Sequence, residues 1–193
     1  MPVLNLDRGE PFEILFFFFS SKFAGITSVL VIGSFSERLY LKFSLLFVTI
    51  WNFLVYCPIG HWVWNHNGFM NKLGVRDFAG GLVIHISTGF SGLIASLYLG
   101  KRKNFESMPE VLNFPFFIFG TLLLWFGWFG FNGGSSFSIN KIGLFAVINT
   151  NICASMSLII WVIIDLLVYK KISSQGISLG VVCGLVAITP SAG

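Results

Sequence analysis

Apolar residues run along this chain in six stretches, about 12–35, 43–64, 77–100, 113–132, 142–168 and 176–190, each bounded by short polar or charged segments. A helix needs ~20 apolar residues to cross the hydrocarbon of a bilayer, and five of the six stretches reach that length. The pattern predicts an all-α integral membrane protein, a polytopic helix bundle of five full spans and a partial sixth. The sixth stretch covers roughly 22 Å at 1.5 Å per residue, short of the ~30 Å core. Its Gly176, Gly180 and Gly184 repeat a small-residue face that calls for a partner helix. A short terminal stretch with an unmet face is expected of an incomplete chain, and residues 1–193 are treated as one domain cut at both ends.

Composition agrees with the pattern. Hydrophobic residues make up 55 % and charged residues 10 %, far from the roughly one quarter charged of soluble domains. The net charge of +4 therefore carries no expectation of a nucleic-acid partner. Cys57, Cys153 and Cys183 lie far apart in or beside apolar stretches, so neither a disulfide framework nor a metal-binding spacing follows. The opening segment carries Asp7, Arg8 and Glu10 and lacks a small-residue cleavage site, which argues against a secretory signal. If the spans alternate, Arg38, Lys42, Lys101, Arg102, Lys103, Lys170 and Lys171 share one side, against Arg8, Lys72, Arg76 and Lys141 on the other. Short loops rich in Lys and Arg stay cytoplasmic, which places the N-terminus outside. Trp62 and Trp64 stand where an aromatic interfacial belt is expected.

One span carries the candidate chemistry. The third stretch holds His85, and an ionisable side chain inside a membrane segment marks a functional site by default. On an unbroken helix Asp77, Gly81, His85, Gly89 and Gly92 would form one stripe, with Thr88, Gly92, Ser96 and Gly100 beside it. Small residues at that spacing let neighbouring helices approach closely. An interhelical hydrogen bond is the alternative reading of His85. Asp77 reads as the cap of this helix, its carboxylate bonding free backbone N–H groups, and too far from His85 to touch it. Asp165 reads as an interfacial or helix-pairing group. His61 and His66 fall in interfacial or loop positions.

The stretch DFAGGLVIHISTGFSGLIASLYLGKRK resembles the signature helix of the ammonium transporter family (the Amt/Mep/Rh proteins). SERLYLKFSLLF, YCPIGHWVW, LLWFGWFGFNGGSS, AVINTNICAS and GLVAITPSAG resemble further family segments in the same order, so that the likeness runs from about residue 12 to 193. The resemblance implies an eleven-helix fold of two inverted halves, of which this chain is similar to helices three to eight. It implies transport of ammonium or ammonia, with methylammonium as a further solute, by a homotrimer in the plasma membrane. No cofactor, metal or enzymatic activity is implied.

Residue by residue, the resemblance assigns Phe19, Phe23 and Trp64 to an external aromatic pocket, where ring faces attract a small cation. Ser135 matches the serine that accepts a hydrogen bond from the same ion. Phe23 and Phe131 match paired rings that close the pore, and such apolar constrictions exclude water and hydrated ions. His85 matches the first of two pore histidines, whose imidazoles can take a proton from ammonium and guide ammonia. Potassium has no proton to give. The family's second histidine matches nothing in residues 1–193, so these residues alone are expected to insert in a bilayer without conducting.

Two positions depart from the family pattern. Lys22 stands beside Phe23 where a small or polar residue is usual, and Ser20 stands where glutamine is common. A pore-facing cation would repel ammonium, so the amine of Lys22 is expected to point to the outer interface. A non-conducting truncated subunit or an ammonium sensor is the alternative function. An intramembrane enzyme is the weakest reading, because no carboxylate is placed to pair with His85.

Overall fold

The computed structural model describes residues 11–102 and 113–193. The polar lead and most of the loop expected at 101–112 lie outside the described residues, and with them Arg8 and Lys103 of the charge count. The described residues contain helices and no strand, and six helical stretches are long and apolar enough to cross a membrane. Contacts divide the chain into two units, Met1–Glu106 and Ser107–Gly193.

The first unit begins with α1 (Pro11–Gly33). The next apolar stretch forms one continuous helical rod in pieces: α2 (Leu41–Trp51), a π-helix (Asn52–Tyr56) and α3 (Cys57–Trp64). The short α4 (Phe69–Lys72) follows, inside what reads from sequence as a polar loop. A second π-helix (Gly81–Ile86) leads into α5 (Ser87–Leu99). The inward face of α1 is Phe23, Thr27 and Val31, four residues apart as one helical stripe requires. Interior polar groups are joined between helices: Trp51 donates its indole N–H to Ser91 at 3.0 Å, and Asn52 donates to Ser28 at 2.6 Å.

At the far end of this unit Arg38 closes two helices at once. Its guanidinium donates to the Gly100 carbonyl at 2.6 Å and to the Ser34 carbonyl, and reaches Ser96 Oγ at 3.4 Å. The last carbonyls of a helix have no partner within it and carry its negative end, so one cation serves α1 and α5 together. The small-residue stripe of α5 meets α1 here, since a Cβ on Gly92 would lie 3.3 Å from that of Ser34. Outside this cluster Arg102 pairs with Glu37 at 3.3 Å, an exposed pair of small energetic weight.

The third span begins later than the apolar pattern implies. Asp77 is not a helical residue; the helix starts at Gly81, after a turn in which Gly80 takes φ +104°. A side chain is disfavoured there, and an added Cβ would lie 2.6 Å from Ile84 Cδ1. The single four-residue stripe from Asp77 to Gly92 therefore does not exist, because a π-helix turns less per residue than an α-helix and rotates the pattern.

The second unit holds α6 (Phe114–Gly134), α7 (Lys141–Tyr169) and α8 (Ser174–Ile188), the last running into a 3-10 turn (Thr189–Ser191). Each start has a polar cap: Asn113 accepts from Phe116 N, Asn140 from Gly143 N and Ser173 from Gly176 N. Capped at Ser173 and prolonged by the 3-10 turn, the final stretch reaches 18 residues, longer than the 176–190 expected from apolarity alone. Its glycine face is not unmet. A Cβ on Gly180 would lie 2.9 Å from Trp161 Cβ, and one on Gly184 2.8 Å from Ala154 Cα, so α8 packs backbone-close on α7. The unmet face expected from sequence is thus corrected: Ala154, Ser157, Leu158 and Trp161 of α7 supply the partner from within the chain. Asp165 joins these two helices, its Oδ2 accepting from the N–H of Ser173 at 2.9 Å and from its hydroxyl at 2.8 Å.

Candidate functional site

Phe19, Phe23, Trp64, Asp77 and His85 fall in the first unit, and Phe131 and Ser135 in the second. Three of the first group are brought together. Phe19 and Phe23 lie one turn apart on α1 with ring centroids 5.0 Å apart, edge to face, and Phe23 meets Trp64 of α3 edge to face at 5.8 Å. Edge-to-face pairs set the positive rim of one ring against the negative face of another, so the cluster has fixed headings. Phe23 is buried and Trp64 half-buried.

Asp77 anchors this cluster through Trp64. Its Oδ1 accepts from the N–H groups of Gly80 at 2.9 Å and Gly81 at 2.7 Å, and its Oδ2 from Leu82 at 2.8 Å and Val83 at 3.0 Å. Four backbone donors at a helix start thus converge on one carboxylate, which the positive end of the helix also favours. The Asp77 carbonyl accepts the indole N–H of Trp64 at 2.9 Å. Both carboxylate oxygens are occupied by backbone, and the residue is buried. The Gly80 turn lies in van der Waals range of Phe23, since a Cβ on Gly80 would stand 3.5 Å from Phe23 Cδ1.

His85 sits in the π-helix, half-buried. Its backbone N–H and that of Ile84 share the Gly80 carbonyl, at 3.2 and 2.8 Å. π-Turns occur often at functional sites, since the widened turn re-aims side chains. The side chains of Ser87 and Thr88 bond back to carbonyls of the same turn, which keeps hydroxyl groups satisfied within an apolar setting. His61 and His66 are exposed.

In the second unit Phe131 lies in the last turn of α6 and Ser135 caps its C-terminus. The Ser135 hydroxyl donates to the Phe131 carbonyl at 2.7 Å. With its hydrogen so committed, the Ser135 oxygen presents lone pairs, the polarity an N–H donor requires. Phe131 packs on the cluster formed by Trp128, Ala154, Val181 and Leu185, its ring 5.2 Å from that of Trp128.

Lys22 is exposed on α1, its amine 4.1 Å from the centroid of the Phe18 ring, which is itself exposed. Sequence reasoning passed over Arg38, the Trp64–Asp77 link and the π-helix. Arg38 was legible only as a loop charge, and the other two leave no mark in hydrophobic periodicity. Among the described residues no three His, Cys, Asp or Glu side chains gather to hold a metal ion.

The profile of the Ammonium Transporter Family matches residues 3–193. The ammonium transporter of Aquifex aeolicus is 43% identical over 190 residues, covering 98% of this chain and 44% of that protein. The ammonium transporter Amt1 of Archaeoglobus fulgidus is 40% identical over 192 residues, or 99% of this chain and 48% of the relative. Among solved structures, Mep2 of Candida albicans superposes with a TM-score of 0.87 at 39% identity, over 93% of this chain and 41% of that one. The chain thus spans a little under half the length of these relatives.

Proposed function

The chain belongs to the ammonium transporter family, and from that premise we propose that this integral membrane protein forms part of a pathway for ammonium or ammonia. The observation that carries the proposal is the Phe19–Phe23–Trp64 cluster, held rigid through the Trp64–Asp77 bond. A desolvated ring face attracts a small cation by ~2 kcal/mol, and rings fixed in advance bind without a further ordering cost. Ammonium is recruited at the aromatic cluster of the first unit. By the family resemblance, Ser135 accepts one of its hydrogens, and Phe23 and Phe131 serve as gate rings, each within its own unit. His85 takes up the released proton, which potassium cannot supply. The functional assembly is a homotrimer in the plasma membrane with the N-terminus of this segment outside. Methylammonium is the natural probe solute.

The test is a graft. Residues 1–193 replace the matching segment of the Aquifex aeolicus transporter, and the purified protein is reconstituted in liposomes. Internal pH is followed after an ammonium pulse. Protein-dependent flux that falls in Trp64→Leu and in His85→Ala is the expected result. A graft that inserts and folds but passes no ammonium overturns the transport reading and leaves a non-conducting role.

A further inference from the structure

Asn132 is fully buried on α6, between the two residues assigned above to gate and recruitment, yet its side chain faces neither role. It donates its amide N–H to Thr150 Oγ1 on α7 at 2.9 Å. Thr150, fully buried as well, has its own hydroxyl hydrogen committed to the Ala146 carbonyl at 2.6 Å. A hydroxyl whose hydrogen is used can only accept, so Asn132 must turn its NH₂ toward Thr150 and its carbonyl oxygen away. That oxygen is buried with no hydrogen-bond partner among the described residues. The amide is therefore held through one bond, and Thr150 is its anchor.

The backbone around this pair leaves little clearance. A Cβ on Gly133 would lie 2.7 Å from Val147 Cγ2, and one on Gly143 would lie 2.7 Å from Ser136 Oγ. Glycine contacts fix how near α6 and α7 approach, but they do not fix rotation, since a smooth glycine face can turn against its neighbour. A directed hydrogen bond sets rotation. The turn it would set is the one carrying Phe131 immediately before Asn132 and Ser135 one turn after, themselves joined by the Ser135–Phe131 bond.

We propose that Asn132, acting through Thr150, is a positioning residue that fixes the rotational heading of the α6 turn bearing Phe131 and Ser135. The proposal rests on the assignment of those two residues to the solute pathway. Inside a bilayer an interhelical hydrogen bond contributes modestly to stability, so its loss is read in solute handling rather than in folding.

The experiment uses the grafted transporter and follows methylammonium uptake together with the unfolding midpoint. Asn132→Leu and Thr150→Val each raise the methylammonium KM by about tenfold, inside the hundredfold that an ångström of misplacement can cost. The double variant is no worse than either single, as two partners of one bond require. Exchanging the pair, Asn132→Thr with Thr150→Asn, restores the bond in reverse and recovers most of the KM. Thr150→Val keeps the shape of the side chain and serves if Asn132→Leu fails to fold. An unchanged KM in Thr150→Val, additive losses in the double variant, or a lowered midpoint with normal KM each overturns the proposal. Ser135→Ala in the same graft separates the two levels. If it alters KM while Thr150→Val does not, positioning by Asn132 is wrong and the site stands; if Ser135→Ala and Phe131→Ala both leave uptake unchanged, the site itself is wrong.

Discussion

Trp64 donates its indole N–H to the main-chain carbonyl of Asp77, the residue whose carboxylate also gathers the first N–H groups of the third span. The heading of the pocket tryptophan and the start of the histidine-bearing helix are thus determined at one residue. On the proposed reading recruitment and passage share a support, and substitutions at either end of the link separate them.

Trp64→Leu removes the ring and the N–H together, and Trp64→Phe removes only the N–H and part of the ring. Cation attraction by an aromatic face amounts to ~0.5–2 kcal/mol, a factor of about 2 to 30 in affinity. In the graft, methylammonium affinity falls within that range for Trp64→Leu and by less for Trp64→Phe, with expression maintained. Unchanged affinity and selectivity in Trp64→Leu count against the aromatic pocket.

Asp77→Ala strips four backbone donors of their acceptor. Loss of one capping side chain costs ~1 kcal/mol, and hydrogen bonds to a charged group are stronger than neutral ones, so the unfolding midpoint in nanodiscs drops clearly. Asp77→Asn keeps one acceptor oxygen and loses less. Equal midpoints for the two variants would show that carboxylate bonding is not what holds this turn.

Lys22 lies against an exposed Phe18 ring rather than against the Phe23–Trp64 pair. Lys22→Ser therefore leaves ammonium flux unchanged. A several-fold rise in flux would identify the lysine as a brake on the pathway.

Lys170 ends α7 with φ 58° and ψ 16°, the left-handed conformation that glycine adopts without steric cost. Lys170→Gly relieves ~1 kcal/mol of backbone strain, partly offset by the freer unfolded chain. The midpoint rises, while flux is unaffected. A fall in the midpoint means that the lysine side chain contributes more than its backbone loses.

The apolar runs divided at Arg38, Lys72, Arg102, Lys141 and Lys170 match the six long apolar helices to within a few residues, because hydrocarbon demands length and apolarity and little else. Glycine spacing in α8 was equally plain, but its partner was not. Ala154, Ser157 and Leu158 are hidden in the nearly uniform apolarity of α7, where small and large side chains read alike. Asp77 was legible as a cap, since an acidic residue before a helix has a ready use for its carboxylate. That it acts from outside the helix, on four donors, depends on the Gly80 turn and has no periodic signature. Phe19, Phe23 and Trp64 were singled out by resemblance, as nothing distinguishes two rings among 23 phenylalanines. The contribution of Asn132 was invisible, since it depends on which neighbour has already used its hydrogen.

A π-helix is an α-helix that has taken in an extra residue, and this chain does so twice, at Asn52–Tyr56 and at Gly81–Ile86. Sequence length is therefore a local variable in these two rods. Excising one residue from an ordinary helix turns everything beyond it by about 100°, which would carry the α7 stripe away from α8. Excising one from Gly81–Ile86 lets the widened turn relax to α geometry, leaving α5 in register on Arg38 while changing the aim of His85 and the N–H groups presented to Asp77. Relatives differing by one residue at that place can keep the scaffold and alter the histidine, so insertion and deletion, as much as substitution, are routes by which such a helix changes.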